Sequence, residues 1–307
     1  MGPTVVTPAR PAATDAPVPG RRRRSGRVRA ASATGTGVFH LLSATAALLF
    51  LAPLVHTALN SLKTPEEASA QPPTWFPRSL SLANYGRLTT FGEGIGTYLV
   101  NSLVLSALSV LFTVVASVLA GYGFARFTFR GRGLLFGTTL LILMVPYASL
   151  LLPLYIVLGW LGLQNTVVGV ALVLTMFQLP FGVFLMRNSF ESVPREIEEA
   201  ALVDGATSLR ALRYVSLPLV APGVATVALF SFIASWNEFL APLIFLTGGD
   251  RYTLPIMLTF LRSGAYGAVD YGALQAGVVL AVLPTLVVYL LLQRYYVAGL
   301  TGGALRG

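Results

Sequence analysis

Side chains that do chemistry are scarce in this chain of 307 residues, which has twelve acids, two histidines, one lysine and no cysteine. Without cysteine there is no disulfide, thiolate nucleophile, Cys-bound zinc or iron–sulfur cluster. His40 and His56 stand sixteen positions apart, near opposite ends of one apolar stretch, so no compact histidine cluster is available to hold a metal. A phosphate-binding P-loop needs a lysine behind its glycines. Lys63 sits instead in Asn60-Ser61-Leu62-Lys63-Thr64, which has none. Any ATP this protein uses is hydrolysed by another chain. No nucleophile–base pair points to an enzyme, and no cofactor is expected.

Two placements of acid remain. One is Pro194-Arg195-Glu196-Ile197-Glu198-Glu199-Ala200-Ala201-Leu202-Val203-Asp204-Gly205-Ala206, followed by Leu217-Pro218-Leu219. Pro194 suits a helix start, and the early glutamates are favoured by the helix dipole. Ala200, Ala201 and Leu202 are good helix formers. Asp204-Gly205 supplies the stop, because glycine accepts the left-handed conformation. Thr207 or Ser208 can cap a second helix that ends before Pro218. The spacing predicts helix, tight turn, helix, where the bland alternative is a solvated connector. The other placement is Glu238, the lone acid inside an apolar stretch. Such a charge ordinarily faces a bundle interior or water. Asn237 and Glu238 are therefore candidates for a translocation path or gate, by bonding solute hydroxyls or by fixing a neighbouring helix. Gln178, Asn101 and Tyr155 are weaker candidates, since a lone polar residue in a membrane helix more commonly bonds another helix.

The elements that must position these residues follow from composition. The chain is 55% hydrophobic and 11% charged, too little polar material for a soluble globule of this size. A bilayer core of about 30 Å takes roughly 20 apolar residues per helix. Six stretches qualify: 38–59, 98–123, 134–158, 165–186, 219–246 and 273–293. The expected fold class is an all-α polytopic membrane protein with six transmembrane helices. With the N-terminus inside, the inner segments hold sixteen Lys and Arg and the outer segments five. That asymmetry puts both termini in the cytoplasm. It also reduces the net charge of +9 to an orientation signal. Residues 1–37, with Arg21-Arg22-Arg23-Arg24, read as a disordered tail touching anionic lipid rather than nucleic acid. Kinks are expected at Pro53, Pro146, Pro153, Pro180, Pro222, Pro242 and Pro284, all within the spans.

The full spacing of the acidic loop is Glu-Ala-Ala, three residues, Gly205, nine residues, Val215-Ser216-Leu217-Pro218. At these residues the chain resembles the EAA motif of permease subunits of binding-protein-dependent ABC importers. The resemblance implies that the loop between helices four and five is a cytoplasmic coupling helix docking on an ATPase. Its docking turn would comprise Glu199, Ala200, Ala201, Asp204 and Gly205, with Glu198, Leu217 and Pro218 completing the loop. Further matches are Ala125-Arg126-Phe127, Gly162-Leu163-Gln164-Asn165-Thr166, Trp236-Asn237-Glu238-Phe239 and the tail Gly299-Leu300-Thr301. They are similar to the carbohydrate branch, and to its second, maltose-type permease, over residues 38–307. The resemblance implies an inner-membrane subunit forming half of an alternating-access pathway for a sugar or oligosaccharide. Its partners would be a second homologous permease, two ATPase subunits that bind the ATP, and an extracytoplasmic solute-binding protein. Rival readings are a non-sugar solute, such as a polyamine or phosphate ester, and an ion-coupled secondary transporter, which would need no ATPase.

Overall fold

The computed structural model describes Gly2 and residues 27–265, 267 and 269–304. Most of the 1–37 tail, including Arg21 to Arg24, lies outside the described residues. Helix α1 (Arg27–Ser61) starts well ahead of the expected span, since no proline interrupts the chain between Pro19 and Pro53. Residues 27–37 thus belong to a helix and not to the tail. By contact the chain divides into residues 1–53 and 54–307. The first unit contains the described helix up to Pro53.

The second unit is helical throughout its regular elements, with no strand among the described residues. After the short α2 (Pro65–Ala68) and α3 (Ala83–Thr90) comes α4 (Ile95–Arg126), the longest helix wholly described with side chains. Then follow α5 (Arg132–Leu141), α6 (Tyr147–Trp160), α7 (Val167–Glu191), α8 (Arg195–Val203), α9 (Ser208–Ala211) and α10 (Leu217–Leu219). The last four are α11 (Ala221–Trp236), α12 (Leu240–Phe245), α13 (Leu254–Ser263) and α14 (Tyr271–Ala304).

Four helical segments are long and apolar enough to cross a bilayer: Gly37–Ser61, Ile95–Arg126, Val167–Glu191 and Tyr271–Gln293. Two bent pairs bring the number to six if each makes one crossing. The expected 134–158 span is one of these, turning by 109° between Arg132–Met144 and Tyr147–Trp160. Pro146 causes the break: it has no N–H to give, and it forces Val145 into extended backbone at φ −82° and ψ 127°. The other pair is Ser208–Leu219 and Ala221–Trp236, at 80°. Most of the prolines expected to kink their helices lie elsewhere. Pro53, Pro153, Pro180 and Pro284 stay inside continuous helices, and Pro222 falls in a first turn, where no donor is missed.

Helix α4 is the axis of the second unit and packs on α7 and α11. Its buried face carries Ser102, Ser106, Ser109, Thr113, Ser117 and Gly121 at three- and four-residue steps. Small side chains let helices approach closely where no hydrophobic effect pulls them together. A Cβ at Gly121 would lie 2.6 Å from Met186 Cβ and 2.8 Å from the Arg187 backbone nitrogen, so α4 and α7 touch almost main chain to main chain. The opposite face of α4 exposes Leu103, Leu111, Val115 and Leu119.

Gly121→Ala is therefore expected to destabilise the helix pair by about 1–3 kcal/mol, the usual cost of overpacking. Gly137→Ala, where a Cβ meets nothing within 4 Å, should be neutral or stabilising. Thermal unfolding of the detergent-solubilised protein compares the two.

Candidate functional site

Local sequence builds the 194–219 segment as expected up to its last turn. Pro194 enters in extended backbone, and Glu196 and Glu198 occupy the first turn of α8. Gly205 takes φ +87°, and the Gly205 and Ala206 amides donate to the carbonyls of Leu202 (3.1 Å) and Ala201 (3.0 Å). These are the two bonds of a Schellman stop. Thr207 Oγ1 then accepts the Arg210 amide at 3.4 Å and starts α9. The second helix does not end before Pro218. It widens into a π turn over Leu212–Ser216, where the Leu217 amide donates to Leu212 five residues back, and continues through α10. The wider turn makes room for a proline that offers no N–H.

Glu198 faces inward rather than onto the exposed turn. It is 7% exposed. Tyr122 of α4 donates its hydroxyl to Oε1, and Ser216 Oγ donates to Oε2 at 3.0 Å. Arg126 Nε lies 2.9 Å from Oε2, with its N–H off the line between the atoms, so the contact is more coulombic than a directed hydrogen bond. Arg126 also donates from Nη2 to the Val193 carbonyl (3.1 Å), and Arg195 donates to the Ala125 carbonyl (3.2 Å). Under this polar knot pack Val118, Tyr122, Ala125, Met186, Phe190 and Leu212. Both charges are shielded, so removing one partner costs about 3–5 kcal/mol.

The outer face of the same segment is uncovered. Glu199, Ala200, Asp204 and Gly205 are exposed, Ala201 and Leu217 are half-buried, and Pro218 is exposed. Beside them stand Ile197, Leu202, Leu209 and Val203, the last 87% exposed.

Asn237 and Glu238 lie at the far end of α11, about 24 Å from its start at 1.5 Å per residue. They interrupt the expected 219–246 span, ending α11 and starting α12. Asn237 is exposed and bonds back to the Ile233 carbonyl at 2.8 Å. Glu238 Oε1 accepts the amides of Leu240 (2.9 Å) and Ala241 (3.1 Å), and the Tyr147 hydroxyl at 2.9 Å. The carboxylate thus caps α12 and ties it to the start of α6. Tyr147 meets Phe177 edge-on at 4.6 Å. Phe177 in turn opens onto a cleft of about 200 Å³ between α4, α7 and α11, also lined by Thr113, Gln178, Phe181, Phe230 and Ser231. Of the weaker candidates, Gln178 lines this cleft, while Asn101 holds the Asp250 and Tyr252 carbonyls at 2.8 and 2.9 Å. Tyr155 stacks on Phe245.

Residues 113–300 match the model of binding-protein-dependent transport system inner membrane components. The chain belongs to this family. It is a permease subunit of an ABC importer, a multi-pass component of the inner membrane, and its ATPase is a separate chain. The permease is 34% identical over 257 residues to the sulfoquinovosyl glycerol transport system permease protein SmoH of Agrobacterium fabrum (84% of this chain, 89% of the relative). It is 33% identical over 269 residues to the diacetylchitobiose uptake system permease protein NgcG of Streptomyces coelicolor (88% of each). It is 34% identical to the trehalose transport system permease protein SugB of Mycobacterium tuberculosis (75% of this chain, 84% of the relative). Its fold superposes on a chain of a bacterial ABC transporter that imports the acidic polysaccharide alginate, with TM-score 0.68 and 22% identity (91% and 100% covered).

Sequence reasoning missed Arg126, Tyr122 and Tyr147 as partners of the two acids. For Arg126 the signal was present. It is one of three basic residues in a short connector after a span, on the side of the membrane where the acidic loop is expected.

Glu238→Ala should destabilise the permease by about 1–2 kcal/mol, through the lost α12 cap and the orphaned Tyr147 hydroxyl. Glu238→Gln keeps an acceptor and should cost less than half of that. Equal unfolding temperatures for Glu238→Ala and the unmodified protein would contradict the capping role.

Proposed function

We propose that this permease forms half of an alternating-access path for a sugar or oligosaccharide. It crosses the membrane six times, each bent pair counting once, with both termini and the 194–219 segment on the cytoplasmic side. The bias of sixteen basic residues against five supports this orientation. A second, homologous permease completes the path, two ATPase subunits bind the ATP, and an extracytoplasmic binding protein delivers the solute. The permease itself carries no cofactor. Relatives named for sulfoquinovosyl glycerol, diacetylchitobiose and trehalose transport support a carbohydrate as cargo.

The observation that carries this reading is the two-sidedness of the 194–219 segment. Its inner side is fastened by buried charge, while its outer side exposes Val203, Leu209, Leu202 and Ile197 around the Asp204-Gly205 turn. An apolar face of this kind on a helical hairpin marks a protein interface. ATP can drive the path only through contacts that differ between its inward- and outward-open states, and this face supplies them. At the other end of α11, Glu238 holds α12 and Tyr147 in place as an outer gate, with Asn237 beside it. The cleft around Gln178 lies between that gate and the coupling segment.

In proteoliposomes holding the complete importer, Gly205→Pro and Glu199→Arg should lower solute uptake per ATP hydrolysed by about tenfold or more. Insertion should stay intact, because neither residue lies in a crossing. Wild-type coupling in both variants would overturn the assignment. Competition by a panel of mono- and oligosaccharides, with a polyamine and a phosphate ester as controls, tests the cargo.

A further inference from the structure

The outer face of the 194–219 segment explains how a load arrives, but not how it leaves. Covalent connections offer poor levers. From α8 the chain runs back to α7 through Ser192-Val193-Pro194, and forward to α11 across a corner of 80°. A push on α8 could be absorbed at either joint.

A third connection is not covalent. Glu198 of α8 meets Arg126 of α4 at 2.9 Å, with the two side chains 9% and 7% exposed. The same carboxylate receives Tyr122 of α4 and Ser216 of the π turn, and the same guanidinium holds the Val193 carbonyl in the connection between α7 and α8. One ion pair therefore joins four parts of the fold: α4, the connection between α7 and α8, α8 itself and the π turn. Arg195 adds a bond to the Ala125 carbonyl at 3.2 Å. Nothing comparable exists elsewhere among the described residues: the other four ion pairs all have at least one side chain a quarter or more exposed. A surface ion pair holds little and is easily traded for water, whereas a buried pair cannot open without leaving a naked charge.

Resting on the coupling role proposed above, we infer that Glu198 and Arg126 are positioning residues that make the coupling segment and the inner end of α4 one rigid body. Load received at the exposed turn then passes into α4 across this pair, without having to travel along the chain through either joint. From α4 it spreads to α7 and α11, against which α4 packs through its small-residue face. The π turn belongs to the device. Its widened ring brings Ser216 inward to the carboxylate, so that Glu198 braces the part of the second helix least able to brace itself.

The test uses the complete importer in proteoliposomes and a property of the chain, its lack of cysteine. Spin labels at Glu196→Cys on exposed α8 and Leu119→Cys on the exposed face of α4 report the distance between the two helices. Without Glu198→Gln, the distribution should be narrow and the same with and without ATP. With Glu198→Gln it should broaden, and uptake per ATP should fall about tenfold, in the range usual for coupling between sites, while the ATPase still co-purifies. Arg126→Gln should match it, and Arg126→Lys should recover part of the coupling. If Glu198→Gln is not recovered from membranes, Tyr122→Phe and Ser216→Ala each remove one brace and keep the pair, and either should broaden the distribution. An unchanged distribution with wild-type coupling in the recovered variants would overturn the inference and leave the coupling role standing. Loss of ATPase co-purification from the unsubstituted importer, or uptake indifferent to ATP, would instead overturn the coupling role.

Discussion

In hydrocarbon a backbone amide or carbonyl has no water to turn to, so wherever a helix stops, the protein itself must supply the missing partner. This constraint organises the described structure. At the break after α11, Glu238 takes the amides of Leu240 and Ala241. At the start of α13, Ser102 accepts the Leu254 amide at 2.8 Å. Asn101 holds two carbonyls of the 250–252 turn, and Asn84 holds those of Ser61 and Lys63 where α1 ends. These polar residues are closures of this kind, whereas Ser106, Ser109 and Ser117 serve α4 as small packing side chains. The closures mark the breaks, and the breaks are where a transporter can change shape.

The same logic extends from dipoles to whole charges at the 194–219 segment. A carboxylate on its inner side would be untenable alone, so α4 ends in the arginine that matches it and adds a tyrosine hydroxyl. The outer side keeps its apolar residues bare. A segment fastened inside and open outside suits a part that must be pushed. The fastening determines which helix feels the push.

Much of this was legible in the sequence, because it rests on local chemistry. The helix, turn and helix at 194–211 followed from Pro194, Gly205 and Thr207, because capping is local chemistry. Of the six stretches expected to cross, four are single helices long and apolar enough to do so, as apolar length implied. The breaks were harder to see. Val145-Pro146 reads like any membrane proline, and only the fold reveals that it turns the chain by 109° while Pro180 does not. The inward turn of Glu198 was hidden because three glutamates share one short helix, and which of them faces α4 depends on a partner 72 positions away. The π turn ahead of Pro218 likewise comes from packing and not from any local signal.

The coupling role requires that the exposed turn at Leu202–Gly205 meet the ATPase. A photo-reactive group at Val203→Cys reports on this directly, in a chain with no other cysteine. In the assembled importer the group should capture the ATPase subunit, whereas the same group at Val115→Cys, on the exposed face of α4, should not. An importer that couples ATP to uptake yet yields no ATPase adduct from position 203 would contradict the account.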